Sequence, residues 1–454
     1  MNHKFSSPEL LMPAGNFEKL QFAFAYGADA VYAGVPIFSL RARENGFNKE
    51  TIRQAIEYSH KLGKQIYLTM NIYAHNIKIE RFLNSFCEMS DLGPDAFIMT
   101  DPGLINKALK LRPDSVIHLS TQANATNWAT IEFWRDIGVK RIILPRELSI
   151  QEMATITEKV PDIELEAFVH GAICIAYSGR CLISNYINHR DANQGTCTNS
   201  CRWEYSLAAD KGSLLANEAS HPAKTDYQPL VGKYNLSEAG KAEATFLKEQ
   251  FEIDEDEHGT YLMNSKDLCA VELLQDLHDA GICSFKVEGR SKSIYYVSIV
   301  ARAYRRAIDD LIAGKPFNPE NLRELVSTSN RTMMTGFMKK RPNEYGENFE
   351  DGASLPLTHR FGGVVREYDA ATGTALVDFK NRIEVGETLE WVTPAETVEM
   401  TLESIETLRG KSETVGHGGM QYHIPAPFEP DQFTLIRQKI SQNKESLLQL
   451  EELK

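Results

Sequence analysis

The chain has 454 residues, of which 42% are hydrophobic and 24% charged, and its formal net charge is −13. These values are typical of a folded protein of two or three domains, and they argue against a surface coated with basic, phosphate-binding residues. The apolar runs are only strand-sized, and the first residues lack the apolar stretch of a signal peptide. We therefore expect a cytoplasmic protein with no membrane partner, in a compartment where structural disulfides are rare.

Up to about residue 300, short runs typical of β-strands alternate with stretches of helical period. Eight runs are predicted to be strands: residues 10–13, 30–33, 65–71, 96–101, 116–122, 141–146, 164–170 and 284–288. The predicted helices between them include residues 17–26, 49–62, 79–92, 127–137, 150–160 and 271–280. Several of these end at a glycine that can cap a helix, namely Gly27, Gly63, Gly93, Gly138 and Gly281.

Three segments repeat one theme, a helix followed by glycine and a strand with a polar or small end. They are FAFAYGADAVYAG, FWRDIGVKRIILPRE and LHDAGICSFKVEGR. Repeated β-α units with short loops and eight strands favour an α/β fold, a (β/α)8 TIM-like barrel. An open doubly wound sheet is the second choice. The first helix does not begin with Gly-x-Gly-x-x-Gly, which weakens the dinucleotide-binding version of that sheet.

The alternation breaks after His170. We interpret residues 172–260 as an insertion between the seventh and eighth strands, within which residues 204–208 and 260–263 could pair as a hairpin. Past about residue 350, short strands at 363–368, 374–379, 388–392 and 398–405 predict a small β-barrel. The predicted organisation is thus a barrel domain, residues 1–350, that carries the cysteine-bearing insertion, and a C-terminal β-barrel domain, residues 351–454.

Four of the seven cysteines lie in this insertion, at Cys174, Cys181, Cys197 and Cys201. Iron–sulfur clusters are held by four thiolates and tolerate varied spacing, so a cluster, of the 4Fe-4S type, is the favoured interpretation. Zinc is the alternative metal, although only the Cys197-x3-Cys201 spacing fits the usual paired knuckles. A chance grouping of structural thiols is the third reading. Positive charge to offset a cluster could come from Arg180, Arg190 and Arg202.

Barrel enzymes of this kind carry their chemistry at the C-terminal ends of the strands. The polar residues at the predicted ends are Asn16, Asn71, Asp101, Gln122, Arg146, Glu147, His170, Lys286, Glu288 and Arg290. The candidate catalytic residues among them are Arg146, His170, Lys286, Glu288 and Arg290. The three cationic side chains could together hold a carboxylate or a phosphate. His170 is expected to face the site, and a nucleophilic pair with Cys174 is conceivable.

Basic runs elsewhere are expected to be solvated surface. They comprise residues 338–341 and the triplet Arg302, Arg305 and Arg306.

Several longer stretches resemble the U32 (collagenase-like) peptidase family, and the resemblance covers nearly the whole chain. They are PELLMPAGNFEKLQFAFAYGADAVYAG, STQANATNWA, FVHGAICIAYSGRCLISNY with QGTCTNSCRWEY, and MNSKDL followed by FKVEGRSKS. The resemblance implies that the cysteines of the matching block bind an iron–sulfur cluster. It is strongest to the branch of the family that hydroxylates the wobble uridine of tRNA.

That resemblance implies an enzyme that forms 5-hydroxyuridine in the tRNA anticodon loop without molecular oxygen, with prephenate, a small carboxylate, as co-substrate. Two other functions stay open. One is proteolysis of the U32 type, for which the chain shows no Gly-x-Ser-x-Gly and no His-Glu-x-x-His motif. The other is a non-catalytic role in binding RNA or a protein partner.

Overall fold

The computed structural model describes residues 7–40, 46–174, 176–188, 190–197, 266–329, 333–339 and 358–440, with backbone alone at 186–188. It also gives the backbone of a few short strands between residues 205 and 260. Cys201 and Arg202 lie outside the described residues, as do residues 340 and 341 of the basic run at 338–341. In the described part of the chain, every helix is too short or too polar to cross a membrane.

Strands and helices alternate through the first seven strands. The strands are β1 (Glu9–Ala14), β2 (Ala30–Gly34), β3 (Gln65–Met70), β4 (Ala96–Met99), β5 (Ile117–Leu119), β6 (Arg141–Ile143) and β7 (Glu164–Ala172). The helices are α1 (Phe17–Ala25), α2 (Lys49–Lys61), α3 (Ile79–Ser90), α4 (Pro102–Leu111), α5 (Trp128–Ile137) and α6 (Ile150–Lys159). All five glycines expected at helix ends have positive φ, between 65° and 108°, which confirms their capping role.

The segment after β7 contains α7 (Ile183–Asn188) and five short strands, β8 (Tyr205–Ala208), β9 (Lys241–Ala244), β10 (Glu249–Glu252), β11 (Glu255–Asp256) and β12 (Gly259–Thr260). The suggested hairpin of residues 204–208 with 260–263 is not formed by the described strands, and residues 204 and 261–263 lie outside the described residues. β8 pairs with β9, and β12 pairs with the neighbouring β11 through a tight turn, so each strand finds a partner closer in sequence.

The barrel then resumes with β13 (Asp267–Cys269), α8 (Leu274–Asp279), β14 (Ser284–Val287), α9 (Ile294–Ile312), α10 (Pro319–Val326) and β15 (Met333–Met334). Single 3-10 turns lie at Asn76–Lys78, Thr121–Ala123, Ala192–Gln194 and Val271–Leu273. Strands β1 to β7 follow one another in parallel, and β14 pairs in parallel with both β7 and β1. The eight predicted strands therefore close into one parallel barrel, as the sequence indicated.

The C-terminal residues form antiparallel strands. They are β16 (His359–Asp369), β17 (Thr374–Phe379), β18 (Ile383–Glu384), β19 (Thr388–Val392), β20 (Thr397–Thr401), β21 (Ile405–Thr407), β22 (Ser412–Glu413), β23 (Val415–Gly416), β24 (Gln421–Pro425) and β25 (Leu435–Lys439). Eight of them make one sheet in the order β20-β19-β25-β16-β17-β24-β21-β22. The predicted strand 398–405 is interrupted because Leu402 turns inward and pairs its backbone with Glu387 and Gly386.

The helix α9 joins the two domains, and its arginines are not the solvated surface that the sequence suggested. Arg302 is only 1% exposed and pairs with Glu324 at 2.6 Å, while its guanidinium also donates to the carbonyl of Thr393. Arg437 of β25 shares the same carboxylate at 3.0 Å. Arg302 therefore serves the domain interface, where Glu324 contacts two buried cations. Arg305 instead pairs with Asp29 and Asp309 within the barrel domain.

Candidate functional site

An open cavity lies at the C-terminal ends of the barrel strands, where the fold places catalytic chemistry. Its wall includes four of the five predicted catalytic residues together with one cysteine of the predicted cluster site. Those residues are Arg146, Lys286, Glu288, Arg290 and Cys174. The loop after β7 thus reaches the mouth of the barrel, and the predicted cationic group and one predicted thiolate face a common space.

The cationic side chains of the cavity are held in different ways. The Arg146 guanidinium lies 3.7 Å from the centre of the Phe168 ring, and its nearest carboxylate oxygen, on Glu288, is 3.9 Å away. Arg290 donates to the backbone carbonyl of Leu40. Since a cation over an aromatic ring keeps its charge without a tight carboxylate partner, Arg146 stays suited to bind an anionic ligand.

Lys286 forms the floor of the cavity and is 3% exposed. Its Nζ lies 2.7 Å from Oε1 of Glu166, a residue with no exposed surface, and 4.4 Å from the ring of Tyr32. Burial lowers the pKa of Lys286, and the adjacent Glu166 opposes that shift. The charge of Lys286 therefore depends on a partner that lies inside the barrel.

Glu166 connects Lys286 to further charged groups lower in the barrel. Its other carboxylate oxygen lies 3.3 Å from Arg141, which also pairs with Glu9 at 2.7 Å and with Glu164 at 2.8 Å. Glu9 in turn accepts a hydrogen bond from Ser284 Oγ at 2.7 Å. Buried charges are tolerated when each is paired in this way. This part of the barrel interior is therefore a network of ion pairs.

The structure separates His170 from the other candidate residues. Lys286 of β14 pairs with Phe168, but the next residue, Val287, pairs with His170, so β7 has one extra residue between these pairs. Such a β-bulge reverses the alternation of side chains along the strand. Phe168 consequently faces the cavity, whereas His170 faces α9 and packs against Tyr296 and Tyr304. His170 lines a smaller pocket with Asp267 and Lys292, so a nucleophilic pair with Cys174 is not formed.

The stability of the protein should fall as the pH drops because of His170. Burial lowers its pKa from 6.5 to about 4, so between these values the unfolded chain binds a proton that the folded protein excludes. We expect His170 to account for about 3 kcal/mol of lost stability across that window. Urea unfolding of the wild type and of His170→Gln at several pH values measures this, because the variant should lose less. Equal losses in both proteins would contradict the assignment.

The loop that carries the cysteines is fixed to the mouth by short contacts. Glu147, at the end of β6, accepts hydrogen bonds from the backbone N–H of Ser178 at 2.9 Å and from its hydroxyl. Gly179 has φ +74°, and a Cβ there would lie 2.1 Å from the carbonyl oxygen of Gln122. Glycine is therefore required at this position, and the loop lies directly on the cavity wall.

Further along the loop, Tyr73 donates its backbone N–H to the carbonyl of Asn193 at 3.2 Å, and Lys78 donates to the side chain of Gln194 at 2.7 Å. Asn193 also donates to the carbonyl of Cys181 at 3.3 Å. These bonds tie the second half of the loop to the segment after β3.

Three of the four clustered cysteines are described, and none of the three is in a disulfide. Cys174 is exposed, while Cys181 and Cys197 are half-buried. Burial raises the pKa of Cys181, and the nearby thiols of Cys174 and Cys197 add to that rise. Ser184 Oγ donates to Cys197 Sγ at 3.6 Å. Among the residues with described positions, no three His, Cys, Asp or Glu side chains are already arranged around a metal position.

Not every polar residue at a strand end belongs to the cavity. Asn16 and Asp101 are the N-caps of α1 and α4, where their side chains accept backbone N–H groups at 2.9 and 3.1 Å. Glu147 anchors Ser178, as above. Asn71 and Gln122 do line the cavity. Cavity residues that the sequence reading missed include Tyr32, Thr69 and Phe168, which inward alternation along β2, β3 and β7 could have identified.

The class of protein is defined by two domains. One is a closed parallel barrel with a cysteine-bearing loop at its mouth, and the other is an antiparallel C-terminal sheet. The family model described as peptidase family U32 matches residues 15–348, and that of the peptidase family U32 C-terminal domain matches residues 358–437. The chain belongs to peptidase family U32, which confirms the resemblance seen in its motifs.

Curated relatives cover nearly the whole chain. A protein of Escherichia coli K12 named tRNA hydroxylation protein P is 44% identical over 92% of this chain and 94% of its own length. Its namesake in Haemophilus influenzae Rd is 43% identical over 96% of this chain and 97% of its own. The 23S rRNA 5-hydroxycytidine C2501 synthase of Escherichia coli K12 is 31% identical over 67% of this chain and 40% of its own length.

Proposed function

We propose that this protein is an RNA-hydroxylating enzyme whose substrate is the wobble uridine of tRNA and whose product is 5-hydroxyuridine. Relatives named for tRNA hydroxylation and for 5-hydroxycytidine synthesis in rRNA support the hydroxylation of RNA. The observation that carries the proposal for this chain is the cavity in which Arg146, Lys286 and Arg290 meet Cys174. It combines an anion-binding wall with the loop that holds the clustered thiols.

The cationic wall fits a small carboxylate co-substrate, and prephenate, with its two carboxylates, is the compound that we propose. Arg146 and Arg290 lie three residues beyond the ends of β6 and β14 and line the same cavity, together with Lys286 of β14. Charge-assisted hydrogen bonds from two guanidinium groups orient a carboxylate well. Glu288, 3.9 Å from Arg146, supplies a carboxylate that could accept a proton or a hydroxyl hydrogen from the ligand.

The uridine would enter the same mouth from a splayed-out anticodon loop, because enzymes that act on a base must first remove it from its stack. The wall offers Asn71, Ser120 and Gln122, whose side chains can donate and accept hydrogen bonds at the edge of a base. Tyr32 and Phe168 add apolar surface on the opposite strands. The cavity thereby has groups that suit both the carboxylate co-substrate and the uridine.

The donor chemistry of the loop suits an iron–sulfur cluster. Its described cysteines are not in disulfides, lie within reach of each other's charge, and include one thiol that accepts a hydroxyl hydrogen bond, as cluster thiolates commonly do. We propose that Cys174, Cys181, Cys197 and Cys201 hold a 4Fe-4S cluster, which when bound would supply electron transfer next to the cavity.

The proposal is tested in cells that lack their own 5-hydroxyuridine synthesis, by mass spectrometry of tRNA nucleosides. The wild-type chain should restore 5-hydroxyuridine and the nucleosides derived from it. Arg146→Ala should reduce the product by about tenfold or more, because a charge-assisted contact with the co-substrate is worth about 1.5–3 kcal/mol. Arg135→Ala, which removes an arginine from surface ion pairs on α5, should leave the product unchanged.

Full product from Arg146→Ala and Arg290→Ala would remove the cavity from the reaction. No product from the wild type, with the protein folded and its metal content intact, would overturn the proposed function itself. Omitting the supply of prephenate in the same cells separates the co-substrate from other carboxylates. Loss of the nucleoside only when prephenate is missing is the expected result.

A further inference from the structure

The rim of the cavity carries an aromatic ring and a cation that the described structure leaves exposed. Tyr177 is 61% exposed, although large aromatic side chains are usually buried. Arg180 is exposed as well and forms no ion pair with any residue whose position the structure describes. Both lie on one turn, because the N–H of Arg180 donates to the carbonyl of Tyr177 at 2.9 Å.

This turn is held rigidly beside the cavity. The residue after Tyr177, Ser178, is bonded to Glu147 at 2.9 Å and lies 3.4 Å from Thr121, which lines the cavity. The next residue, Gly179, lies on the backbone of Gln122, another lining residue. Consecutive Cα atoms are about 3.8 Å apart, so the Cα of Tyr177 lies that close to the Cα of Ser178, whose hydroxyl contacts the lining residue Thr121.

The position of Arg180 is marked by its neighbours. It lies close enough to Tyr73 to counteract part of the rise that burial causes in the pKa of that tyrosine. Tyr73 itself donates to the carbonyl of Gln122 at 2.6 Å. Arg180 therefore lies near Tyr73 in the segment after β3, and Tyr73 itself contacts the backbone of the cavity residue Gln122.

We propose that Tyr177 and Arg180 form a nucleotide-binding rim, in which the tyrosine ring stacks on a base next to the target uridine and the guanidinium binds a backbone phosphate. Single-stranded RNA is recognised mainly by stacking on exposed aromatic rings together with cations that follow the backbone. An exposed ring on a fixed turn loses little conformational freedom when a base stacks on it. The inference rests on the proposed function, since it takes tRNA as the substrate.

The pair also explains how an acidic protein can bind RNA. A net charge of −13 does not favour long-range attraction of a polyanion. Binding must then depend on local contacts, and a stacking ring with one well-placed guanidinium is the local arrangement that this rim offers. Stacking is also indifferent to the identity of the base, so it can serve several tRNAs that share a wobble uridine.

The test uses the full-length, metal-loaded protein and a tRNA anticodon stem-loop with 2-aminopurine next to the wobble uridine. The wild type should bind and quench the fluorescence of the 2-aminopurine, since stacking quenches it. Tyr177→Ala should weaken binding by about 5- to 150-fold and abolish the quenching. Tyr177→Phe, which keeps the ring, should bind within about twofold of the wild type. Phe133→Ala, which removes a 55% exposed ring on α5, is the matched control and should bind like the wild type.

Arg180 is tested by the dependence of the dissociation constant on salt. Arg180→Ala should lower the slope of the logarithm of affinity against the logarithm of salt concentration by about 0.7, the value for one phosphate contact in a single strand. Arg180→Lys should retain most of that slope.

The stacking role would be overturned if Tyr177→Ala still quenched the fluorescence as the wild type does, or bound the stem-loop with unchanged affinity. The phosphate contact would be overturned if the salt slope of Arg180→Ala were unchanged. Both results leave the proposed function standing if the variants still form 5-hydroxyuridine in cells. A wild type that binds no anticodon stem-loop overturns the rim, and nucleoside analysis then decides separately whether tRNA is the substrate. Thermal unfolding of each variant, expected to match the wild type for these exposed residues, shows that the fold is retained.

Discussion

Replacing Glu166 with alanine should lower the free energy of unfolding by about 3–5 kcal/mol, the cost of removing one partner of a buried ion pair. Glu166 has no exposed surface and contacts both Lys286 at 2.7 Å and Arg141 at 3.3 Å. Without it, Lys286 would have no carboxylate at contact distance among the described residues, and burial already lowers its pKa. Part of the penalty would be relieved if Lys286 gave up its proton.

The neighbouring Glu164 provides a matched control for that substitution. It pairs with the same Arg141 at 2.8 Å, but its side chain is 34% exposed. Glu164→Ala should cost no more than about 1 kcal/mol, since solvent screens such a pair. Urea titration of both variants measures the difference. Equal effects would show that Glu166 is not the central anion of the barrel.

A double variant separates the ion pair from the packing of the side chains. Glu166→Met with Lys286→Met removes both charges and should recover much of the stability lost in Glu166→Ala, because paired buried charges can often be replaced by apolar side chains. The single variant Glu166→Ala should also weaken the binding of the proposed carboxylate co-substrate, because loss of Glu166 lowers the pKa of Lys286 further and so favours its uncharged form. Isothermal titration with prephenate measures that loss.

If the proposed cluster is present, replacing Cys181 with alanine should bring the iron and sulfide of the anaerobically purified protein to background, together with the visible absorption of that cluster. A cluster needs its thiolate ligands, and the remaining cysteines cannot substitute from outside the loop. The matched control is Cys87→Ala, which removes a half-buried thiol from α3, away from the loop. This control should retain the iron content of the wild type.

The same measurement distinguishes the interpretations of the four cysteines. Zinc instead of iron in the wild type, lost in Cys181→Ala, would make the site a zinc site. Iron that persists in Cys181→Ala would exclude this cysteine as a ligand. Cys201→Ala is expected to behave like Cys181→Ala. Nucleoside analysis of the same proteins should show that product and iron disappear together.

The barrel could be predicted from the sequence because its strands are buried on both faces and appear as continuous apolar runs between glycines. The helix α9 was not among the predicted helices, although its apolar residues recur with helical period. Twelve of its nineteen residues are buried between the barrel and the C-terminal sheet, including Arg302. The burial of an arginine at this interface depends on the folded domains, so the sequence pattern alone does not show it.

The candidate site was only partly predictable. Chain position indicated that Arg146, Lys286, Glu288 and Arg290 would meet, because parallel strands end at one edge. The bulge that turns His170 toward α9 depends on how β7 pairs with β14, and nothing in the local sequence reports it. The pairing of Lys286 with Glu166 crosses the barrel interior, so it too follows from the closed fold alone.

The way the barrel closes determines the order in which the site can assemble during synthesis. The last barrel strand, β14, is separated from β7 by the whole cysteine-bearing segment, yet it fits between β7 and β1. The contacts that fix the loop reach Tyr73, Gln122 and Glu147, all translated before it. The loop can therefore dock first on the seven strands β1 to β7, and Lys286 and Arg290 are translated after it. A nascent chain stopped before β14 would have its thiols in place without a cationic floor.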